Sequence, residues 1–463
     1  MVDKKKDERI CIVGAGPAGI SAAMYLEQKG YKNYVIYEKE DRVGGKTYSP
    51  TYKGKRYEMG AIMGVPSYYA VADCEKFAGI AHKDDEYNST DHNGPRLERK
   101  YKDLKGKIVD PFSTKKFWRI PHLMKLKKQI KRIGYLLETK YKGYDITGHI
   151  GVSEGKYDGF AVTPGREPVS GTNPNLKDLA LPFSEFCRLN KVPLIQEVWI
   201  APFTAFGYGF FDEIPAAYVL KYLDFQTMMN FAKINLWTWK EGTQSIFENV
   251  NNKLMHPAVL NSNITAVSRT KTKVNVTVNG EKEVFDKIII TAPLQYMHKY
   301  FDATKEEKEL FSKIDFESYD VQSCLIKKGK YPDTSYYIMD NMVKERLGHL
   351  MVYFRRWKGE EDQPITTYTL RKHKDLEEVP YEKAKATVLE DMKVCDCEVD
   401  KVIKDISWYY FPHVFSKDYA DGWYEKVEAM QGKKNTFYAG EIMSFGDMDE
   451  TCEYSHDLVE RFF

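Results

Sequence analysis

The chain has 463 residues, 43% of them apolar and 14% aromatic, with 69 Lys and Arg against 67 Asp and Glu and a formal net charge of +2. That length exceeds one hydrophobic core, so about two or three domains are expected, and the balanced charge excludes a global pull toward nucleic acid. Seven scattered cysteines, odd in number and without zinc-ligand spacing, point to reduced thiols and a cytoplasmic protein without a metal site.

The first eight residues are polar and basic and lead almost at once into a strand, which fits no signal peptide. No apolar run approaches a membrane span. Ile10-Cys11-Ile12-Val13 is an apolar strand that enters Gly14-Ala15-Gly16-Pro17-Ala18-Gly19. Gly14 permits the tight turn, Gly16 lets the backbone approach a pyrophosphate, and Gly19 lets the following helix pack on the strand. That helix begins near Pro17 and aims its partly positive N-terminus at the phosphates. A second strand, 34–37, ends on Glu38, 24 residues after Gly14, where a partner for a ribose hydroxyl belongs. Strand, glycine turn, helix, strand and acid in this order predict a bound dinucleotide, with Ala18 at the same turn.

A second glycine pair follows in Asp41-Arg42-Val43-Gly44-Gly45-Lys46-Thr47. Nicotinamide enzymes have no general need of it. FAD enzymes of the glutathione-reductase and amine-oxidase type carry a longer cofactor past the pyrophosphate, so Gly45, Lys46 and the charge of Arg42 fit FAD. Glu58 to Gly64, with Gly60, Ala61 and Ile62, looks like the small-residue segment that lines the flavin ring in that superfamily.

Residues 96–142 hold 16 Lys or Arg against 4 acids. Leu123, Leu126, Ile130, Ile133 and Leu137 recur there at helical spacing with lysines between them. This basic amphipathic helix reads two ways: lying on an anionic bilayer, or packed on the protein by its leucine stripe. Residues 151–178 are rich in glycine and proline and read as a surface loop. Asp212 is expected to cap a helix beginning near Pro215. Its stripe of Tyr218, Tyr222, Phe225 and Met229 is either core or the wall of an apolar tunnel.

The run 286–292, stopped by Pro293, resembles the strand that returns to the FAD domain, and Ile264 joins the cofactor candidates upstream of it. Residues 318–326, 348–355, 365–371 and 402–411 read as strands, the last stopped by Pro412, and 379–397 as a helix. Thr436 to Glu441 is a strand ending in Gly440-Glu441, an acid placed to hold the ribityl chain, and a polar helix runs from about Gly446 to Phe462. No second glycine fingerprint follows a strand, so no nicotinamide site is expected. The fold class is α/β: a Rossmann-type FAD-binding domain (1–90, 241–298 and 425–463), a helical lid domain (91–240) and a mixed-sheet substrate-binding domain (299–424).

Several stretches outside the generic fingerprints carry a closer likeness: Tyr57 to Tyr68, Pro202 to Gly209, Pro215 to Phe225, Gly422 to Glu428 and Thr436 to Gly446. Together they resemble the bacterial FAD-dependent polyunsaturated (polyenoic) fatty acid double-bond isomerases of the flavin amine-oxidase superfamily, over nearly the whole chain. The resemblance implies that a free polyunsaturated fatty acid such as linoleic acid becomes a conjugated one, by hydride transfer to flavin N5 and back. It implies Arg99 as the carboxylate binder, Phe231 as an aromatic gate and Phe206 as a tunnel residue near the flavin. No side chain need act as a general acid or base, and His413 reads as structural. The chain departs from the family in a longer 151–175 segment and in Glu98, beside Arg99, where a second basic residue is expected. The rival readings are an FAD-dependent oxidase or desaturase of an amine, lipid or polyene, and a non-catalytic lipid-binding flavoprotein. No nucleic-acid or protein partner is inferred.

Overall fold

A computed structural model describes residues 4–80, 98–115, 117–141 and 175–463. Most of the loop expected at 151–178 lies outside these residues; its last part already belongs to a short helix, Leu176–Leu179.

The architecture is α/β. Ile10–Val13 is apolar at every position and fully buried, the pattern of a strand covered on both faces. It pairs in parallel with Tyr34–Tyr37 on one side and Lys287–Ile290 on the other, and Thr436–Tyr438 extends the sheet to four strands. Segments from both ends and the middle of the chain therefore build one sheet. The helix Pro17–Gln28 lies against the C-terminal helix Met448–Phe462, where Ser455 Oγ donates to the Ala18 carbonyl at 3.0 Å. Asp447 caps that C-terminal helix, accepting from the Glu450 amide at 2.8 Å.

A seven-stranded sheet faces this unit, in the order Val399–His413, Asp315–Ile326, Ile365–Leu370, Val352–Phe354, Ser335–Tyr337, Arg99–Lys102, Ile108–Val109. All pairings are antiparallel except Arg99–Lys102 with Ser335–Tyr337, which is parallel. The 91–240 segment, read as helical, thus also contributes two strands to this sheet.

Three local expectations are corrected. Pro412 does not stop its strand, which continues to His413. The strand lies at the sheet edge, where a missing N–H breaks no central ladder, and a bulge there places Phe411 at φ +47°. Asp212 does not cap the helix Ala216–Tyr222, whose N-cap is Pro215; its carboxylate pairs with Lys344 at 2.7 Å instead. The strand expected over 348–355 shortens to Val352–Phe354.

Several acids are buried without a countercharge close enough to offset lost hydration. Burial pushes Asp73 up to about 8 and Glu213 to about 7. Glu317, whose Oε2 has no hydrogen-bond partner among the described residues, is raised well above the usual carboxylate range by burial and then by Glu213. The native state holds these protons over a range where the unfolded chain, titrating near 4, has lost them. Their stabilisation is complete below the unfolded value and is lost as pH rises through the folded values. The melting temperature is therefore expected to fall by several degrees between about pH 6.5 and about pH 8.5. Glu317→Gln flattens that slope. A wild-type melting temperature that rises over this interval contradicts the assignment.

Candidate active site

The first strand ends in a turn that only glycine fits. Gly14 stands at φ +101°, and a Cβ there would lie 2.7 Å from Thr291 Oγ1. A Cβ on Gly19 would meet the Gly14 carbonyl oxygen at 1.9 Å, so Gly19 serves helix–strand packing. The second glycine turn closes on the first: a Cβ on Gly45 would lie 3.2 Å from Gly16 Cα. Both carboxylate oxygens of buried Glu38 accept backbone N–H bonds, from Ala15 at 2.7 Å and Glu40 at 2.9 Å. Each oxygen retains acceptor capacity for a ribose hydroxyl.

A cavity of about 990 Å³ runs from these turns to the face of the seven-stranded sheet. Gly14, Gly16, Ala18, Glu38, Gly45 and Lys46 line its first part, and Gly60, Ala61, Ile62, Ile264 and Glu441 continue the wall. Lys46 Nζ pairs with Glu441 at 2.6 Å, joining the second glycine turn to the last strand's end. At the far end the wall turns aromatic, with Phe206, Tyr208, Tyr222, Tyr319, Tyr368 and Tyr410. Tyr208 and Tyr410 hydroxyls lie 3.3 Å apart, and Tyr222 stacks on Phe445 with ring centroids 4.9 Å apart.

Phe206 connects this wall to a second cluster. Its ring lies 6.0 Å from that of Phe231, and Arg99 Nη2 donates to the Phe231 carbonyl at 3.2 Å. The Arg99 guanidinium stands 5.8 Å from the Tyr101 ring centre and 5.7 Å from that of Tyr337. Phe231 is buried and Arg99 half-buried; neither lies on the cavity wall, and both stand behind Phe206. Glu98 points to Lys358 at 3.1 Å, so the acid beside Arg99 is engaged elsewhere.

The aromatic stripe of 218–229 divides. Tyr222 lines the cavity. Tyr218 is core, its hydroxyl accepting from the Val414 amide at 3.0 Å and bonding to Tyr424 at 2.7 Å. Asp447 was not foreseen as a site residue. It lines the cavity, and burial pushes its carboxyl up to about 7. An acid three residues before Glu450 is a readable helix cap, but nothing local shows that the cap faces a cavity.

The residues present fit a dinucleotide with a phosphate bridge. Arg42 Nη1 is buried with no hydrogen-bond partner among the described residues, while the guanidinium lies 4.0 Å over the Tyr48 ring. An unpaired cationic donor beside two glycine turns and a helix N-terminus is what a pyrophosphate satisfies. The sequence pattern of the family described as flavin containing amine oxidoreductase matches residues 17–324. The chain belongs to this family. A flavin held by a dinucleotide cradle is FAD. Among solved structures, a CLA-producing fatty acid isomerase from P. acnes is 47% identical, covers 99% of each chain and superposes with a TM-score of 0.88. A polyenoic fatty acid isomerase of Ptilota filicina is 23% identical over 342 residues; the match takes in 66% of this chain and 63% of that protein's length. A redesigned putrescine oxidase, 14% identical with a TM-score of 0.66 and covering 98% of each chain, shares the fold alone.

Proposed function

We propose that this flavoprotein is a fatty acid isomerase that shifts a double bond of a free polyunsaturated acid, such as linoleic acid, into conjugation. The observation that carries this reading is the 47% identity, across 99% of both chains, to a fatty acid isomerase. The geometry agrees with it: an aromatic cavity opens onto the cofactor cradle, and a path of rings leads from it to a half-buried arginine.

When bound, FAD supplies a carrier that takes two electrons and a proton's worth of hydrogen from the carbon between two cis double bonds and gives them back. The chain's residues do the rest. Arg99 offers its fork of donors to the carboxylate and fixes how far the acyl chain reaches. Phe231 and Phe206 close over the chain behind it. The tyrosine faces of the cavity exclude water and lie where positive charge develops on the diene. No side chain has to move a proton. His413 is fully buried, its Nδ1 lies 2.8 Å from the Phe411 carbonyl and burial pushes it down to about 4, as suits a structural ring. In this reading 1–90, 241–298 and 425–463 hold the cofactor, 299–424 supplies the aromatic floor, and 91–240 closes the substrate path. All seven cysteines are buried and free, in keeping with a cytoplasmic site of action.

The test is anaerobic incubation of the purified yellow protein with linoleic acid and no added acceptor, followed by conjugated-diene absorbance. Many turnovers with the flavin oxidised at the end are expected. Flavin bleached once, without diene, assigns an oxidase or desaturase instead. An unchanged flavin and no diene removes linoleic acid as the substrate.

A further inference from the structure

The basic helix, Ile120–Glu138, uses its leucine stripe inside the protein. Leu126, Gln129, Ile133 and Gly134 are buried. Gln129 accepts from the Leu194 amide at 2.7 Å, Arg132 Nε donates to the Asn190 carbonyl at 2.6 Å, and Gly134 packs on the Phe225 ring. The stripe that suggested a bilayer from sequence is therefore covered by protein.

A different apolar set stands out at the opposite side and start of this helix. Phe117 is 76% exposed, Trp118 65%, Met124 68% and Ile120 45%. Four large apolar side chains within eight positions are thus largely exposed, the Phe117 and Trp118 rings 5.5 Å apart, and apolar exposure of this kind marks interaction sites. Lys115, Lys125, Lys127, Lys128 and Lys131 are exposed around it. Between Asp110 and Glu138 the chain carries eight Lys or Arg and no acid. One acid from elsewhere, Glu197, reaches this helix, 2.8 Å from His122; apart from it, exposed aromatic rings with lysines beside them are the chemistry of an interfacial anchor on anionic lipid.

We propose that Phe117, Trp118, Ile120 and Met124, with the lysines beside them, dock the protein on an anionic lipid bilayer. The charge complementarity selects that occupant: the patch repels a basic partner, and its cations meet lipid phosphates. Docking places the substrate path at the membrane surface. Phe112, just before the patch, has its ring 6.2 Å from Tyr101, the neighbour of Arg99. Gly134 of the same helix packs on Phe225, which opens the helix carrying Phe231. A free fatty acid leaving the bilayer carboxylate-first would meet Arg99 after a short transfer; this delivery step rests on the proposed function, whereas docking does not.

The experiment is co-sedimentation of the FAD-loaded protein with phosphatidylcholine vesicles, and with vesicles in which about a third of the lipid is anionic phosphatidylglycerol. Wild type is expected to bind the anionic vesicles at least about tenfold more tightly than the neutral ones, and less tightly as salt rises. Phe117→Ser/Trp118→Ser and Lys125→Glu/Lys128→Glu are each expected to lose about tenfold or more of that binding. Both keep the flavin absorbance, the melting temperature and the turnover of monomeric acid in detergent-free solution, since neither pair touches the cavity. Equal binding to both vesicle types, no binding, or full binding by both variants overturns the proposal. So does a dimer in solution that the Phe117→Ser/Trp118→Ser variant abolishes, because a second copy would then be what covers the patch. Loss of isomerase activity in the anaerobic test, with vesicle binding intact, overturns the substrate reading and leaves docking standing.

Discussion

Gly14→Ala is expected to purify without its flavin. The residue sits at φ +101°, which costs an L side chain about 1–2 kcal/mol even in open space. Here the added Cβ also lies 2.7 Å from Thr291 Oγ1, a hydroxyl already committed to the Val13 carbonyl at 2.7 Å. Neither partner can yield cheaply, because Thr291 closes the adjacent strand and Gly19 packs directly on the Gly14 carbonyl. The turn must therefore shift, carrying with it the N-terminus of the helix Pro17–Gln28 and the backbone that faces the pyrophosphate. Displacing backbone N–H donors there, each charge-assisted bond being worth about 1.5–3 kcal/mol, is expected to weaken FAD binding by about a hundredfold or more. Flavin absorbance per mole of protein, and titration of FAD into the apoprotein, read the effect. Gly54→Ala is the matched control: it too has a positive φ, +78°, but a Cβ there meets nothing within 4 Å, and it keeps its flavin. If Gly14→Ala binds FAD as wild type does, this turn is not the phosphate cradle.

Arg99→Gln is expected to raise KM for the free acid about 30- to 150-fold, the worth of a charge-assisted contact of about 2–3 kcal/mol, with kcat changed by less than about threefold. The separation follows from the layout. Arg99 stands beyond Phe206 and Phe231 and off the cavity wall, so in the proposed reading it binds the end of the substrate that does not react. Its bond to the Phe231 carbonyl at 3.2 Å aims the guanidinium, and Tyr101 and Tyr337 flank it. The methyl ester of the same acid supplies the decisive comparison. Wild type should lose on the ester what the variant loses on the acid, and the variant should scarcely distinguish the two. An unchanged KM removes Arg99 from the carboxylate site.

Much of the cofactor half was legible because backbone constraint is local. A turn at positive φ, a helix packed directly on a strand and a second turn closing on the first favour glycine at 14, 19 and 45, and the spacing to Glu38 follows from the same strand and helix lengths. The buried first strand announced itself by having no polar face. The candidates proposed for the substrate side came only through resemblance, since nothing around Arg99 or Phe231 distinguishes them locally from the chain's other arginines and its 24 phenylalanines. Periodicity showed that the basic helix has an apolar stripe; it could not show what covers the stripe. The segments around Asn190, Leu194 and Phe225 do so, and they are remote in sequence.

Local grammar misled where tertiary context supplied a partner or a vacancy. Asp212 has the residue type and position of a cap, yet Lys344 reaches it from another part of the chain. Pro412 has the look of a stop, yet its strand lies at an edge and tolerates it through a bulge. The cradle for FAD, the α/β order and the candidates for phosphate contact were thus present in the amino-acid order, because short-range sterics dictate them. Which tyrosines wall the cavity, that Arg99 joins Phe231, and that Phe117 and Trp118 face water were settled by packing between segments far apart in the chain, a many-body outcome that no local pattern encodes.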